Sequence, residues 1–336
     1  MRHALLFPLW LCVSMAASGP ALAWGSLGHR LIGLEAAKHF GRDIPAFLRT
    51  PDAIFDLGEE AREPDRSRDS GQPHDWDRDP GHFVDVSDDG TILGGPRLDA
   101  LPPSRRDYDT ALRAVGSTQY QAGYLPYQIM DGWEQLVTDF AYWRADVAAA
   151  KYAKTPADRA WAARDRKLRE MLTLRDLGTW SHYVGDASQP LHVTVHYNGW
   201  GDFPNPEGFT DAPGFHARFE TAFVNAHIAE RDIAARMRPY RPCGCDIREH
   251  TIAYLEATQR HVTEAYRLDT AHAFDAATPA ARAFVADRIA DGANMERDMV
   301  EDAWAASAHM TMGYTEKLAM PDIEAGRADP MAMLRD

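Results

Sequence analysis

One short stretch, residues 182–192, constrains the fold more than any other part of the sequence. It reads His-Tyr-Val-Gly-Asp-Ala-Ser-Gln-Pro-Leu-His. His182 and Asp186 lie four positions apart, so on a helix their side chains share one face. Pro190 cannot continue that helix, so the chain should turn there and bring His192 back beside the same face. Two imidazoles and a carboxylate that converge in this way are ligands suited to zinc.

A single helical histidine is more often a packed, hydrogen-bonded side chain than a metal ligand. The metal prediction therefore depends on partners elsewhere in the chain. Four further segments combine histidine or carboxylate residues at close spacing: Trp24-Gly-Ser-Leu-Gly-His29, Asp65-Arg-Ser-Arg68, His82-Phe-Val-Asp85 and His216-Ala-Arg-Phe-Glu220.

Each of these segments also has a plainer interpretation. Trp24 could be a buried tryptophan beside a capping His29. Asp65 could be a solvated loop residue, with Asp69 as its competitor. The His216–Glu220 segment repeats the helical spacing of four and could form a hydrogen-bonded surface pair. It is the combination of all five segments that favours metal binding.

Helical periodicity covers most of the remaining sequence and predicts an all-α fold. Apolar residues recur at helical spacing from Leu31 to Leu48. Further helical patterns cover residues 107–120, 129–153, 158–187, 215–237, 246–267 and 278–308. Residues 51–106 are rich in Asp, Arg, Gly and Pro and are typical of loop, apart from the short run at 82–85. We expect a single-domain multi-helix bundle that holds metal ions between its helices.

The two ends of the chain are expected to lie outside this bundle. Residues 1–23 combine a basic start, an apolar run and the small-x-small sequence Ala21-Leu-Ala23. This pattern predicts a signal peptide that is cleaved between Ala23 and Trp24, and hence a periplasmic or secreted protein. The helical domain would then cover residues 24–313. Residues 314–336 mix methionine, proline and charge without periodicity and predict a surface tail.

The net charge restricts the way in which an anionic ligand can bind. A formal charge of −14 argues against a long basic groove for nucleic acid. Bound zinc ions would nevertheless make one pocket locally electropositive, because an ion outweighs the side chains around it. We therefore expect an anionic ligand to bind locally rather than along an extended basic track.

Two cysteines of the expected domain, Cys243 and Cys245, flank a single glycine. This spacing is too tight for an ordinary unstrained disulfide. A strained pair and two reduced thiols both remain open, and the fold does not rest on a disulfide framework.

Taken together and in this order, the five motifs resemble the S1/P1 nuclease and zinc-dependent phospholipase C superfamily. They span Trp24 to Glu220, and the later helices carry no motif of the family. The resemblance implies an all-α fold and three Zn²⁺ ions. These ions would form a trinuclear zinc site between the helices. The resemblance also implies a monomeric enzyme without a stable protein partner, which hydrolyses phosphodiester bonds by attack of a metal-activated hydroxide on phosphorus.

The resemblance further implies which residues bind each zinc ion. The first ion would be held by Asp65, His82, His182 and Asp186. The second, which Asp186 would bridge to the first, would be bound by the α-amine and carbonyl of Trp24 together with His29. The third, apart from that pair, would be bound by His192, His216 and Glu220.

Three residues would contact the substrate in the nuclease branch of the superfamily. Arg68 would contact the phosphate, Phe83 would stack on a nucleobase, and Asp85 would hydrogen-bond the edge of that base. Asp65 would also act in catalysis, because its second oxygen could orient the attacking hydroxide. Arg68 would share this catalytic role by neutralising the charge that builds up on the phosphate.

The motifs divide between the two branches. The spacing from Trp24 to His29 and the length of the segment from His192 to His216 resemble the nucleases. Glu220, however, is the residue of the phospholipases, where the nucleases carry aspartate. The segment between His82 and His182 is longer than in either branch and could form a lid or reshape the pocket.

We therefore expect a nuclease that cleaves single-stranded nucleic acid, with 3′-nucleotidase activity as an accompanying reaction. The alternative is a phospholipase C that hydrolyses phosphatidylcholine-type lipids. In that enzyme Phe83 and Trp200 would face a choline-type cation or acyl chains. A third hypothesis is a non-enzymatic zinc-binding module, which would not need the open coordination position of a catalytic metal.

Overall fold

The computed structural model describes residues 24–68 and 70–335, so the expected signal peptide lies outside the described residues. The α-helices are α1 (Ser26–Lys38), α2 (Pro51–Glu60), α3 (Glu63–Arg66), α4 (His74–Arg78), α5 (Arg105–Ala114), α6 (Gln119–Ala122), α7 (Leu125–Tyr152), α8 (Pro156–Asp186), α9 (Phe215–Ala217), α10 (Phe223–His227), α11 (Glu230–Ala234), α12 (Ile247–Gln259), α13 (Val262–Thr270), α14 (Pro279–Ser307), α15 (Met320–Glu324) and α16 (Met331–Leu334). Short 3₁₀ turns cover Ala46–Arg49, Asp79–His82, Leu98–Ala100 and Pro190–His192, and a π-helical turn covers Arg218–Ala222.

Regular strand structure in the described part of the chain is confined to one small antiparallel pair. The strands β1 (Thr311–Met312) and β2 (Leu318–Ala319) hold two residues each. The predicted all-α fold is confirmed.

Among the described helices, none combines the length and the hydrophobicity that a transmembrane span requires.

The helices α7 and α8 form a long antiparallel pair, joined by residues 153–155. Trp180 Nε1 donates to the carbonyl of Ile129 at 2.9 Å, and Arg169 pairs with Asp139 at 3.0 Å, which fixes how the two helices align. The helices α1 and α14 pack against each other and against this pair. The C-terminal end of α8 therefore lies among several helices rather than at the surface.

Three of the helices begin with the same Thr-Pro dipeptide, at Thr50, Thr155 and Thr278. Each threonine hydroxyl accepts a hydrogen bond from the backbone N–H three residues later, at 3.0–3.2 Å. The following proline has no N–H to leave unpaired and its φ suits the first helical turn. The sequence thus sets the starting points of α2, α8 and α14 locally.

The apolar core consists mainly of two clusters, and the candidate site lies between them. One cluster surrounds α7 and α8, whereas the other joins Trp24 and α1 to the aromatic residues of 200–223, α13 and α14. Gly185 permits the close approach of α1 and α8 at their junction. A Cβ atom at Gly185 would lie 3.1 Å from both His29 Nδ1 and Ile32 Cδ1.

The first hundred residues differ from the sequence-based expectation in two places. The pattern from Leu31 to Leu48 is not one helix, because α1 ends at Lys38 and only a 3₁₀ turn follows. The region predicted as loop contains the ten-residue helix α2. Its acidic residues are mostly on the exposed side, while Ala53 and Leu57 are buried. Charge-rich composition therefore concealed an amphipathic helix.

Later segments also differ from the expectation. The pattern at 215–237 is divided among α9, the π-helical turn, α10 and α11, and the pattern at 246–267 is divided between α12 and α13. Residues 314–336 do not behave as a surface tail, because Met320 and Ile323 are fully buried and α15 packs on α7. The structure pairs Cys243 with Cys245 as a disulfide.

Asp146, on the buried side of α7, generates a prediction about stability. Its side chain is fully buried, and neither carboxylate oxygen has a hydrogen-bond partner in the described structure. Burial, with the nearby Asp165, raises the pKa of Asp146 from 3.8 to about 7. The folded protein therefore keeps a proton that the unfolded chain has already lost at intermediate pH. The free energy of unfolding therefore falls as the pH rises from about 4 to about 7, and this loss is constant above that range.

We expect Asp146→Asn to be more stable than the wild type at pH 8, by about 1–3 kcal/mol, and closer to it at pH 4.5. Urea unfolding of both proteins at the two pH values measures the difference. The exposed Asp43→Asn is the matched control. A stability difference that is the same at both pH values would contradict the prediction.

Candidate metal centre

The end of α8 and the turn that follows it bring His182, Asp186 and His192 together. All three residues are buried. His182 Nε2 lies 3.3 Å from Asp186 Oδ2, and His192 Nδ1 lies 3.6 Å from Asp186 Oδ1. The return of the chain is fixed by Gln189, whose side-chain oxygen accepts from the backbone N–H of Leu191 at 2.6 Å.

A first group of ligand-type atoms consists of Asp65, His82, His182 and Asp186. His82 Nδ1 lies 2.9 Å from His182 Nε2 and 3.1 Å from Asp186 Oδ2. Asp65 Oδ1 lies 3.8 Å from His182 Nε2. For comparison, ligand atoms about 2.0–2.1 Å from one tetrahedral zinc ion are about 3.3 Å from each other. The spacing of these atoms is thus of the size that one zinc ion requires.

A second group forms where α1 meets α8. The ring of His29 stacks on that of His182 with 3.7 Å between centroids, and His29 Nε2 lies 3.4 Å from Asp186 Oδ1. Trp24 is fully buried immediately before α1, and its Nε1 donates to the hydroxyl of Ser188 at 2.9 Å. This hydrogen bond holds the start of α1 beside the end of α8.

A third group consists of His192, His216 and Glu220. His216 Nε2 lies 3.1 Å from His192 Nε2 and 2.8 Å from Glu220 Oε2. His192 Nε2 lies 3.6 Å from the same oxygen. Glu220 belongs to the π-helical turn Arg218–Ala222, and such turns often occur at functional sites.

Backbone carbonyls orient three of the histidines. The Nδ1 atoms of His182, His192 and His216 lie 2.8, 2.6 and 2.9 Å from the carbonyl oxygens of Ala61, His82 and Tyr197. A neutral imidazole that donates from Nδ1 carries a free lone pair on Nε2. In its neutral form each of these rings therefore directs the lone pair of Nε2 toward the ligand groups, as metal-binding histidines usually do.

The ionisation states of the site also suit a metal. Burial lowers the pKa of His82 and of His216 to about 4, so both rings are neutral at pH 7. Burial opposes ionisation of Asp186, but the neighbouring His182 and His192 hold the pKa of this carboxyl well below its usual range. Burial raises the pKa of Glu220 to about 7. A cation at the third group would therefore displace a proton from Glu220 near neutral pH.

Unpaired buried atoms test whether zinc fits these residues. Within the described structure, neither ring nitrogen of His29 has a hydrogen-bond partner, and the same is true of Asp186 Oδ1 and Glu220 Oε1. A buried polar atom without a partner costs about 1–3 kcal/mol. These atoms occur within groups of nitrogen and oxygen donors, which are ligands that zinc accepts. The residues present therefore fit the zinc ions that the family resemblance implies.

One pocket of about 340 Å³, which we call the metal pocket, adjoins the first and third groups. His82, His192 and His216 line it, as do the three predicted substrate-contacting residues Arg68, Phe83 and Asp85. Arg68 Nη1 lies 3.4 Å from Asp65 Oδ1. Burial raises the pKa of Asp85 to about 8, so this carboxyl is mostly protonated at neutral pH.

Trp200 occupies a different position from the one that the phospholipase alternative predicts. Its ring stacks on His196 with 3.7 Å between centroids, and its Nε1 donates to the carbonyl of Pro204 at 2.9 Å. Trp200 is buried and does not line the metal pocket. It is part of the apolar cluster around α1 and α14.

Sequence reasoning missed four polar residues of the site. Gln189 donates from Nε2 to Glu220 Oε2 at 3.0 Å, and Asp79, Gln121 and Tyr197 line the pocket. Gln189 stands inside the central motif, so its position there could have indicated a role. Gln121 lies on α6, in the long segment between His82 and His182, where no motif marks it. That segment thus contributes directly to the pocket wall.

No protein-family model matches this chain, and no curated protein matches it. Among solved structures, the alpha toxin from Clostridium absonum is similar with a TM-score of 0.44 and 12% sequence identity, and the match covers 83% of this chain. The chain spans 66% of the length of that toxin. The alpha-toxin from an avian strain of Clostridium perfringens is similar with a TM-score of 0.43 and 14% identity, covering 87% of this chain and 69% of the toxin.

The shared position of Asp186 leads to a prediction about metal content. We expect Asp186→Asn to lower the zinc content by about two ions per chain, because the first and second groups both use this carboxylate. His216→Ala should lower it by about one ion, because its ring serves the third group alone.

Elemental analysis of purified, zinc-loaded protein measures these losses. Replacement of the exposed His309 by alanine is the control and should change nothing. Equal zinc losses from Asp186→Asn and His216→Ala would show that the groups are not arranged as predicted.

Proposed function

We propose that this chain is a zinc-dependent phosphodiester hydrolase. One observation carries the proposal: two of the three groups of histidine and carboxylate ligands contribute histidines to the wall of a single pocket, and that pocket also contains an arginine. When bound, zinc would supply a water of lowered pKa and neutralise negative charge on a phosphate group.

The residues of the pocket have complementary roles in this reaction. Arg68, which is held near Asp65, can donate from its guanidinium to a phosphate oxygen and stabilise the charge that develops there. Asp65 can accept a hydrogen bond from the attacking water and so orient it toward phosphorus. The low exposure of Arg68 and Asp65, at 10% and 13%, strengthens these interactions because little water competes.

The accessibility of the ligand groups supports an enzyme over a structural zinc module. His82, His192 and His216 each present part of their surface to the pocket. A structural zinc site surrounds its ion with protein ligands, whereas a catalytic site keeps a position open to water and substrate. A pocket that is open to the first and third groups is the arrangement that a catalytic site needs.

A single-stranded nucleic acid is the first candidate substrate, and the wall formed by Phe83, Asp85 and Gln121 favours it. An aromatic ring can stack on a nucleobase, and an amide and a protonated carboxyl can hydrogen-bond the edge of that base. Both polar groups are neutral at pH 7, as suits a neutral base.

A phospholipid is the second candidate, and two observations favour it. Glu220 is the ligand that the sequence resemblance associates with the phospholipase C branch. Tyr197 lines the pocket and is 51% exposed, so an aromatic surface is available at the pocket mouth to a lipid headgroup or acyl chain. Either substrate presents the same phosphodiester to the metal groups.

A paired assay with zinc-loaded protein distinguishes the two substrates. The protein is incubated with single-stranded DNA and with phosphatidylcholine dispersions, each with and without a chelator. Chelation should abolish activity on whichever substrate is cleaved. If DNA is the substrate, Phe83→Ala should lower kcat/KM about tenfold or more, because base stacking contributes about 1–3 kcal/mol.

Each outcome of this assay has a definite meaning. Release of phosphocholine without DNA cleavage would establish the lipid alternative. Replacement of the exposed Phe55, which lies outside the pocket, is the matched aromatic control for Phe83. Chelator-resistant activity on both substrates would contradict the proposed zinc dependence.

The predicted amine ligand of Trp24 can be tested through the N-terminus. A mature protein that begins at Trp24 has a free α-amine at this buried position, whereas one additional residue in front converts the amine into an amide. We expect the extended form to bind about one zinc ion fewer per chain. Full zinc content and full activity in the extended form would rule out the N-terminal ligand.

A further inference from the structure

A second pocket of about 460 Å³ lies between α10, α11 and the start of α14 and shares no lining residue with the metal pocket. We call it the arginine pocket, after Arg231, Arg236 and Arg282 in its wall. We propose that the arginine pocket binds a dianionic phosphate group, carried by free phosphate or by a small phosphate monoester.

The charge inside the arginine pocket is opposite to that of the whole chain. The lining of the pocket contains three arginines and one carboxylate residue, Asp232. The whole chain, in contrast, has 50 acidic and 36 basic residues. Asp232 Oδ2 already accepts from the backbone N–H of Ala229 at 2.9 Å, at the start of α11. An anion that enters the pocket therefore meets a local excess of positive charge.

The three arginines are balanced by carboxylates to different degrees. Arg236 Nε donates to Asp287 Oδ1 at 2.5 Å, so its charge is largely compensated. Neither Arg231 nor Arg282 forms an ion pair within the part of the chain that the structure describes. Two uncompensated guanidinium groups in one cavity match the two negative charges of a phosphate group near neutral pH.

Arg282 is held in a fixed position by hydrogen bonds to uncharged partners. Its Nε donates to the carbonyl of Ala277 at 3.1 Å, and its Nη1 donates to the carbonyl of His227 at 3.3 Å. Its Nη2 lies 3.2 Å from His227 Nδ1, which accepts in the neutral ring. The guanidinium therefore loses little conformational entropy when an anion binds to it.

The shape and lining of the cavity favour a ligand larger than the phosphate ion. Between the arginines the wall is apolar and includes Ile228, Ala283 and Ala286. Arginine recognises phosphate through paired N–H donors, and the alanine surface can contact a small apolar body attached to it. A phosphate monoester with such a body should therefore bind more tightly than inorganic phosphate.

Isothermal titration calorimetry of zinc-loaded protein with inorganic phosphate and with phenyl phosphate tests the proposal by measuring the dissociation constant at each phosphate site. Because the metal pocket can also take phosphate, the variants must separate the two sites. Arg231→Glu should weaken one phosphate-binding event at least tenfold. The side chain of Arg231 is exposed and makes no ion pair among the described residues, so this substitution should leave the fold intact. The double variant Arg231→Gln/Arg282→Gln should abolish the same event.

Two further variants assign the effect to the arginine pocket. Arg68→Gln should weaken the other binding event and leave this one unchanged. Arg327→Gln, which removes an exposed arginine paired with Asp322, should change neither event. The proposal is overturned if both arginine-pocket variants bind phosphate as the wild type does, or if Arg327→Gln weakens binding equally. Tighter binding of phenyl phosphate identifies the monoester as the ligand, and equal binding identifies the free ion.

Discussion

The rest of the site depends on the burial of one carboxylate, Asp186, among imidazole rings. His29, His82, His182 and His192 each bring a ring nitrogen within 3.1–3.6 Å of its oxygens. Such a carboxylate cannot be ionised in a protein interior unless positive charge or hydrogen-bond donors surround it. Several buried atoms of the site, Asp186 Oδ1 among them, have no hydrogen-bond partner in the described structure. Cations shared by these residues would satisfy those atoms and balance the charge of the carboxylate.

Helix packing delivers the residues around Asp186 from distant parts of the chain. The long pair α7–α8 carries His182 and Asp186 into the interior, and α1 reaches them because Gly185 leaves room for His29. The π-helical turn places Glu220 beside His216, and the backbone carbonyls behind three rings determine which nitrogen faces inward. The site is therefore held by rigid elements, as a centre with closely spaced ligands requires.

The two pockets attract negative charge by different physical means. In the metal pocket the attraction would come from bound ions, with Arg68 as the only arginine among the described lining residues. In the arginine pocket it comes from Arg231 and Arg282, which form no ion pair with any described carboxylate. An acidic chain can thus bind anions at two separate places without a continuous basic surface, which agrees with the local binding expected from the net charge.

The sequence by itself determined the fold class and the local geometry of several ligand-type residues. The spacing of four in His182–Asp186 and in His216–Glu220, the turn at Pro190 and the Thr-Pro helix starts are all short-range features, so they could be inferred without a fold. The all-α class followed from periodicity for the same reason. Helix α2 and the buried C-terminal segment could not be inferred, because their few apolar residues are informative only once the surface that they cover is known. Tertiary structure alone decided that Gln121 and Tyr197 line the metal pocket and that Trp200 does not. It also decided that Arg231 and Arg282, 51 positions apart, share a cavity, because contacts between distant residues depend on how helices pack rather than on the pattern within any one of them.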